Sequence, residues 1–174
     1  NNGTLMLGPV WTNRALFGNA LWFDGTNDHV TVNDNATMRL GNTHTIEFWV
    51  YPTRYPTNTA RIVSKGTNQT INYSVALKSN GQVEYQFRVG NGDLPTVTSA
   101  AALPTNQWSH VACTYNGSNL RVYINGQENA TLFSGRNVVI TSTRPLRFGQ
   151  GETGAAFEGV LEDLRIYNVT RSAA

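Results

Sequence analysis

The chain has 174 residues, 40% of them hydrophobic and only 14% charged, and its net charge is +2. This length fits a single domain with a sizeable core, and the 13 basic residues are too scattered to indicate a nucleic acid or an anionic membrane surface as a partner. No apolar run approaches the roughly 18 residues of a membrane-spanning helix, so we expect no membrane insertion.

The first half of the chain predicts short strands separated by turns. Residues 1–19 form a lead-in, in which the candidate packing residues are Leu5, Leu7, Val10 and Trp11. Strands are then predicted at residues 20–24, 29–32, 43–51, 61–65, 72–78, 82–90 and 94–102. Pro52 ends the third of them, because proline cannot donate a hydrogen bond to a sheet ladder.

Alternation is clear in the predicted strand 82–90. One face carries the apolar side chains of Val83, Tyr85, Phe87 and Val89. The opposite face carries the polar side chains of Glu84, Gln86 and Arg88. A period of two residues is typical of a strand with one buried face.

The second half of the chain is organised around a hairpin. Residues 108–115 and 120–124 alternate in polarity, and the connection between them begins with Asn116 and Gly117. This dipeptide tolerates positive φ, so it is a strong hairpin signal. Further strands are predicted at residues 129–133, 144–148 and 159–167.

These elements predict an all-β fold, a two-sheet antiparallel jelly-roll sandwich that spans residues 1–174 as one domain. The reasons are about a dozen short strands, turns rich in Gly and Asn, and the lack of an amphipathic helical pattern. Since the chain begins at Asn1 rather than at a methionine, we expect it to be an excised domain or a mature product of a longer extracellular protein.

Four motifs, spread in order along nearly the whole chain, carry a family resemblance. They are ALWFDG at residues 20–25, TIEFWV at 45–50, WSHVA with YING within 108–126, and FEGVLEDLRIYN at 157–168. The chain thereby resembles the laminin-G-like, concanavalin A-like lectin-glucanase jelly rolls, which occur as accessory modules in secreted and surface proteins. The resemblance implies this fold and places Trp22, Trp49 and Trp108 in its core. It does not specify a function, because sites on this fold lie in variable loops or on the concave face.

The resemblance also implies a candidate calcium site, because many domains of this fold hold Ca²⁺ where a strand-end loop meets the last strand. Such a site needs about six to eight oxygen ligands. The turn after residues 20–24 offers Asp24, Asn27 and Asp28, and the closing strand offers Glu162 and Asp163. The alternative is that Asp24 and Asp28 only accept backbone N–H bonds within a tight turn.

A second set of residues is a candidate for sugar binding, which typically combines an exposed aromatic ring with amide, carboxylate and guanidinium groups. Tyr55 lies in a predicted loop and Tyr73 begins a predicted strand. The polar stripe of Glu84, Gln86 and Arg88 is continued in the next turn by Asn91 and Asp93. The alternative is that this stripe is an ordinary solvated sheet face.

Catalysis has little support in the sequence. Polysaccharide hydrolysis needs two carboxylates roughly 5–10 Å apart, and the Glu-x-Asp-x-x-Glu strand of laminarinase-like enzymes does not occur here. The histidines are far apart and show no metal or triad spacing, and Cys113 is expected to be a buried, inert thiol. We therefore expect no enzymatic activity.

The leading hypothesis is a non-catalytic extracellular carbohydrate-binding or adhesion module whose partner is a polysaccharide or another glycan. The alternative is a structural or protein-interaction module that binds another protein surface, and a polysaccharide hydrolase comes third. Seven Asn-x-Ser/Thr triplets, one of them at Asn72, are a mild excess over chance. They indicate either a secreted eukaryotic or viral protein, or a polar surface rich in Asn and Thr that is typical of extracellular modules.

Overall fold

The computed structural model describes residues 2–67, 69–135 and 139–172. Within these ranges the chain forms strands and one 3₁₀ turn at Ala36–Met38. The strands are β1 (Gly3–Met6), β2 (Val10–Thr12), β3 (Ala20–Asp24), β4 (His29–Val32), β5 (His44–Pro52), β6 (Ala60–Lys65), β7 (Tyr73–Leu77), β8 (Gln82–Gln86), β9 (Thr96–Ala102), β10 (Ser109–Tyr115), β11 (Asn119–Ile124), β12 (Gln127–Phe133), β13 (Leu146–Phe148) and β14 (Glu158–Tyr167).

The strands form two seven-stranded sheets. Sheet A has the order β1-β4-β13-β6-β7-β8-β9, and sheet B has the order β12-β11-β10-β5-β14-β3-β2. Neighbouring strands are antiparallel in both sheets. The predicted all-β, two-sheet antiparallel jelly-roll sandwich is confirmed. No helix in the described residues is long and apolar enough to cross a membrane.

The period-two pattern explains how one core forms between the sheets. In β5, Ile46, Phe48 and Val50 are buried, while Glu47 and Trp49 point to the outer face of sheet B. Apolar residues from both sheets join them in one contiguous cluster, which includes Cys113. Burial raises the pKa of this thiol, as expected for an inert cysteine.

A polar clamp holds two connections against the end of sheet A. Asn72 is fully buried, and its Oδ1 accepts a hydrogen bond from the backbone N–H of Leu40 at 3.0 Å. Its Nδ2 donates to the carbonyl oxygens of Leu40 and Ile140, at 2.9 and 2.7 Å. Both the oxygen and the nitrogen of the Asn72 side-chain amide are therefore hydrogen-bonded, and these bonds hold the segments that precede β5 and β13.

The three family-motif tryptophans lie outside the core, so the placement implied by the resemblance is wrong. Trp22, Trp49 and Trp108 are half-buried on the outer face of sheet B. The rings of Phe17 and Trp49 are 5.7 Å apart, and those of Tyr51 and Trp108 are 5.6 Å apart. The physical reason is position parity. Trp22 and Trp49 alternate with the inward-facing residues of β3 and β5, and Trp108, just before β10, is out of phase with the buried residues Ser109, Val111 and Cys113.

The lead-in also differs from the expectation. It contains β1, which is the edge strand of sheet A, and β2, which is the edge strand of sheet B. Its candidate packing residues Leu5, Leu7, Val10 and Trp11 are all exposed. The expectation that they are packing residues is wrong. Leu5, Val10 and Trp11 lie on edge strands, whose side chains can face solvent, and Leu7 lies between β1 and β2.

Candidate functional site

The outer face of sheet A is lined by polar side chains in two rows that cross the strands. In β7, Tyr73, Val75 and Leu77 belong to the core, so Ser74 and Ala76 point outward. One row runs across paired residues Arg147, Ser64, Ser74, Gln86 and Thr96. The next row runs across Arg61, Ala76, Glu84 and Thr98. The two β7 side chains in these rows, Ser74 and Ala76, are small and almost completely covered, with exposures of 0% and 1%.

The segment 149–157 forms a wall over these rows. Gly151 approaches the sheet so closely that a Cβ there would lie 2.8 Å from Cδ of Arg61 and 3.1 Å from Oγ of Ser64. Arg61 Nη1 donates to Oγ1 of Thr153 at 2.8 Å. A groove of about 230 Å³ results, lined by Thr59, Arg61, Glu84, Gln86, Thr153 and Gly154. We call it the sheet A groove.

The sheet A groove contains charges of both signs. Burial lowers the pKa of Arg61, and the nearby negative charge of Glu84 acts in the opposite direction. Lys78 Nζ lies 3.6 Å from Oε2 of Glu84. Gln86 accepts a hydrogen bond from Oγ1 of Thr96 at 3.3 Å through Oε1. The groove thus offers a guanidinium, a carboxylate and an amide close together.

Two polar atoms in the first row are buried without a hydrogen-bond partner in the described part of the chain. They are Oγ of Ser74 and Nε of Arg147. Buried polar groups in proteins nearly always have a partner. This face of sheet A therefore has hydrogen-bonding capacity that the protein itself does not use.

The two tyrosines predicted to bind ligand lie in different environments. Tyr55 is 36% exposed and its hydroxyl donates to the carbonyl oxygen of Leu103 at 2.7 Å. Its ring lies against Gly81, where a Cβ would be only 2.5 Å away. Tyr73 is fully buried, in phase with the core residues of β7, so it cannot contact a ligand. We correct the candidate site by removing Tyr73.

The turn after β8 holds the remaining members of the predicted stripe. Arg88 Nη1 donates to the carbonyl oxygen of Gly92 at 2.6 Å. Asn91 Nδ2 donates to Oδ2 of Asp93 at 2.7 Å, and Asn91 Oδ1 accepts from the Asp93 N–H. The structure therefore brings Glu84 and Gln86 together in the groove, whereas Arg88, Asn91 and Asp93 shape the neighbouring turn.

The candidate calcium ligands of the first turn make the contacts of an Asx turn. Asp28 Oδ2 accepts the N–H of Asp24 at 3.0 Å, and Asp24 Oδ1 accepts the N–H of Thr26 at 2.8 Å. The carbonyl oxygen of Asn27 is 2.9 Å from Nδ1 of His29. Burial raises the pKa of Asp28, and the hydrogen bond from Asp24 opposes this shift. These bonds match the turn interpretation of the sequence.

The closing-strand carboxylates have other partners. Glu162 accepts the backbone N–H of Leu16 at 2.6 Å and that of Phe17 at 2.7 Å, one on each oxygen. Asp163 pairs with Nε of Arg165 at 2.8 Å. Among the described residues no three His, Cys, Asp or Glu side chains form a group that could hold a metal ion. The five predicted ligands do not fit one calcium site, and calcium binding stays a prediction without a site.

Sequence reasoning missed the groove residues that come from other parts of the chain, chiefly Arg61 and Thr153. Arg61 reaches Glu84 because β6, β7 and β8 are adjacent in sheet A. Thr153 reaches Arg61 because the Gly-rich segment 149–154 folds back over the sheet. The sequence did carry one signal for the outer face of sheet A. Ser74 and Ala76 alternate with apolar residues, which places these two small side chains on the face opposite the core.

Comparison with solved structures shows the same fold in several binding domains. The binding domain of botulinum neurotoxin serotype G has a TM-score of 0.79 at 15% identity, over 99% of this chain and 44% of that one. The binding domain of Paraclostridial Mosquitocidal Protein 1 has a TM-score of 0.81 at 18% identity, over 99% of this chain and 45% of that one. This chain thus spans less than half of either binding domain.

A third structure is similar over most of its length. It is Domain 4 of AbnA, a GH43 extracellular arabinanase from Geobacillus stearothermophilus, in complex with arabinotriose. Its TM-score is 0.78 at 20% identity, over 98% of this chain and 84% of that one. At these identities the three structures show the fold alone.

The family is shown by sequence. No curated protein matches the chain. A laminin G family model, described as the concanavalin A-like lectin/glucanases superfamily, matches residues 24–174. The match covers most of the chain and includes three of the four motifs that carry the resemblance, together with the last two residues of the first motif. This protein therefore belongs to the concanavalin A-like lectin/glucanases superfamily.

Proposed function

We propose that this chain is a non-catalytic, extracellular carbohydrate-binding or adhesion module that binds a glycan in the sheet A groove. The observation that carries the proposal is the convergence of Arg61, Glu84 and Gln86 beneath the 149–157 wall. A sugar hydroxyl both donates and accepts hydrogen bonds. The groove offers a guanidinium that donates, a carboxylate that accepts and an amide that does both.

A second pocket extends the proposed site toward the predicted residue Tyr55. It is lined in part by Arg54, Tyr55 and Glu158, and by Ala155, the residue that follows the groove residue Gly154. The two hollows therefore flank the same short segment of the wall. This arrangement suits an extended glycan, with one sugar unit in the sheet A groove and the next unit touching the smaller hollow, of about 70 Å³, beside Tyr55.

The carboxylates around the site support binding rather than hydrolysis. Glu84 is the one carboxylate among the described residues that line the groove. Glu158, in the neighbouring pocket, accepts from Oγ1 of Thr53 at 2.9 Å and is paired with Arg54. Glycoside hydrolysis requires two carboxylates that flank one scissile bond, and Glu158 is already engaged by Thr53 and Arg54.

The extracellular location is proposed from the character of the chain and of proteins with its fold. The chain has seven Asn-x-Ser/Thr triplets and few charged residues. One similar structure is a domain of an extracellular arabinanase and was solved with arabinotriose, so a domain of this fold can hold an oligosaccharide outside the cell.

Affinity electrophoresis tests the proposal. The chain is run through gels that contain arabinan, xylan, mannan, β-glucan or no polysaccharide. We expect retardation in at least one gel, with affinity reduced about tenfold in Arg61→Ala and in Glu84→Gln, because each removes a charged hydrogen-bonding group. Arg14→Ala is the control, since it removes one exposed positive charge near Trp22 on the outer face of sheet B.

Three results would contradict the proposal. Absence of retardation in every gel would remove glycan binding. Retardation that both groove variants preserve would remove the sheet A groove as its site. Release of reducing sugar that disappears in Glu84→Gln would make the chain a hydrolase. The melting midpoint of each variant shows that a loss of affinity is not a loss of folding.

A protein-interaction module is the second candidate function, favoured by apolar residues exposed near the N-terminus. Leu7, Trp11 and Phe17 are 66%, 64% and 72% exposed. Exposed apolar surface of this kind often marks a protein contact. Sedimentation of the chain and of Trp11→Ser tests this reading. Association that the variant abolishes, together with absence of glycan binding, would favour the second candidate.

A further inference from the structure

The outer face of sheet B carries a second groove, on the opposite side of the sandwich from the sheet A groove. It has a volume of about 250 Å³ and is lined chiefly by Glu47, His110, Ala112, Tyr123 and Arg171. These residues come from β5, β10, β11 and the segment after β14. We call it the sheet B groove.

The register of three strands explains why a hollow forms there. Ala112 of β10 pairs with Glu47 of β5 on one side and with Tyr123 of β11 on the other. Neighbouring strands are about 4.8 Å apart, so Glu47 and Tyr123 stand roughly 10 Å apart with only a methyl group between them. Thr45 and Thr114, the next pair along, also have short side chains. The result is a trough between a carboxylate and a phenol.

The long side chains around the trough are held by contacts of their own. The hydroxyl of Tyr167 donates to Oε1 of Glu47 at 3.1 Å, and the guanidinium of Arg171 lies 4.6 Å from the Tyr167 ring centroid. On the other side, the rings of His110 and Trp49 are 5.2 Å apart. Groups that are already positioned lose less entropy when a ligand binds.

The charges and the size limit what could bind. Glu47 and Arg171 are the charged residues that line the groove within the described chain, and their charges have opposite sign. A neutral ligand therefore suits the groove better than an ion does. Its volume is below the roughly 300 Å³ at which sites for drug-sized ligands begin, so it accommodates a single ring. The apolar floor and aromatic sides suit C–H edges, and the polar ends suit hydroxyl groups.

We propose that the sheet B groove binds one neutral pyranose ring of a glycan. The ring lies over Ala112 between Glu47 and Tyr123, with hydroxyl groups donating to Glu47 and accepting from Arg171. The domain then has two sugar sites on opposite faces and can bridge two glycan chains. This site uses none of the residues of the sheet A groove, so either site can exist without the other.

Backbone-amide NMR titration tests the second site. The probes are methyl pyranosides of glucose, galactose, mannose and xylose, each raised to about 20 mM, since a single ring is expected to bind with millimolar affinity. We expect at least one probe to shift the amides of Glu47, Ala112 and Tyr123. Ala112→Leu fills the trough with an outward-facing side chain and should abolish these shifts. Glu47→Gln should weaken binding about tenfold.

Thr131→Leu is the matched control, because it adds an apolar side chain at an exposed position of β12 outside the groove. It should leave the shifts unchanged. The proposal is overturned if no probe shifts these amides, if the shifts persist in Ala112→Leu, or if a zwitterionic amino acid shifts them and the pyranosides do not. Shifts at Glu84 and Gln86 report the sheet A groove separately, so failure of one site does not imply failure of the other.

Discussion

A buried histidine makes the stability of this domain depend on pH. His44, at the start of β5, is fully buried and packs against the rings of Phe87 and Tyr115 at 5.8 and 5.9 Å. Its Nδ1 donates to the carbonyl oxygen of Gly41 at 2.8 Å, and the hydroxyl of Tyr85 donates to its Nε2. Both ring nitrogens are therefore satisfied in the neutral form.

Protonation of His44 opposes folding. Burial lowers its pKa from 6.5 to about 4, although the hydrogen bond to Gly41 acts in the opposite direction. Between these two values the unfolded chain binds a proton that the folded chain does not, so the free energy of unfolding falls as the pH falls. The difference between the two pKa values corresponds to about 3 kcal/mol, which is lost between about pH 6.5 and pH 4.

Urea denaturation followed by tryptophan fluorescence measures this loss. Wild type and His44→Gln are unfolded at a series of values from about pH 7.5 to about pH 4. We expect the wild type to lose about 3 kcal/mol more than the variant over this range, whatever the stability of the variant at neutral pH. Asp34, whose pKa is lowered from 3.8 to about 2 by Arg39 and Lys65, is present in both proteins, so its own pH dependence cancels in the difference.

Phe87→Leu is the control for damage to the same aromatic cluster. It should lower the free energy of unfolding by about 1–3 kcal/mol at every pH and keep the pH dependence of the wild type. The reasoning is refuted if His44→Gln loses as much stability as the wild type between neutral pH and about pH 4.

Two other expected outcomes concern the carboxylates that the sequence predicts as calcium ligands. Glu162→Gln should destabilise the domain by about 1–3 kcal/mol in urea, because an amide cannot accept from the N–H groups of both Leu16 and Phe17. Equal stability of this variant and the exposed-site control Glu128→Gln would contradict that anchoring role. The calcium prediction is tested by melting with added calcium and with a chelator: binding to the folded chain raises the melting midpoint, and a midpoint that both treatments leave unchanged would remove the prediction.

The sequence pattern predicted which residues of each strand face outward, and so it found part of the sheet A groove. Glu84 and Gln86 alternate with Val83, Tyr85 and Phe87, and the structure puts the first pair outside and the others in the core. Period-two alternation is a local property, so it can be read without knowing which strands are neighbours.

The same pattern indicates the correct face for two aromatic residues whose predicted positions are wrong. Tyr73 is in phase with Val75 and Leu77, which places it inside. Trp49 is out of phase with Ile46, Phe48 and Val50, which places it outside. Assigning residues from an aromatic type or from a family motif gave the wrong face in both cases, because on a strand the face depends on position parity.

The rest of the site depends on which strands are neighbours. Arg61 and Glu84 are far apart in sequence. They line the same groove because β6 and β8, which carry them, are both neighbours of β7 in sheet A. Likewise, Glu162 binds Leu16 and Phe17, which are near the other end of the chain. Nothing in a local pattern fixes the order of strands in a sheet, so these pairs could not be predicted from a single sequence.

The clamp at Asn72 has a consequence for how a secreted form of this domain matures. Asn72 begins one of the Asn-x-Ser/Thr acceptor triplets, yet its Nδ2, the atom to which an N-linked oligosaccharide is joined, is enclosed and bonded to the carbonyl oxygens of Leu40 and Ile140. If an oligosaccharide were attached to this atom before folding, the segments that carry Leu40 and Ile140 could not pack around Asn72. In a cell that glycosylates its secreted proteins, only chains left unmodified at this asparagine can reach the native state, and once folded they are protected there from the transferase.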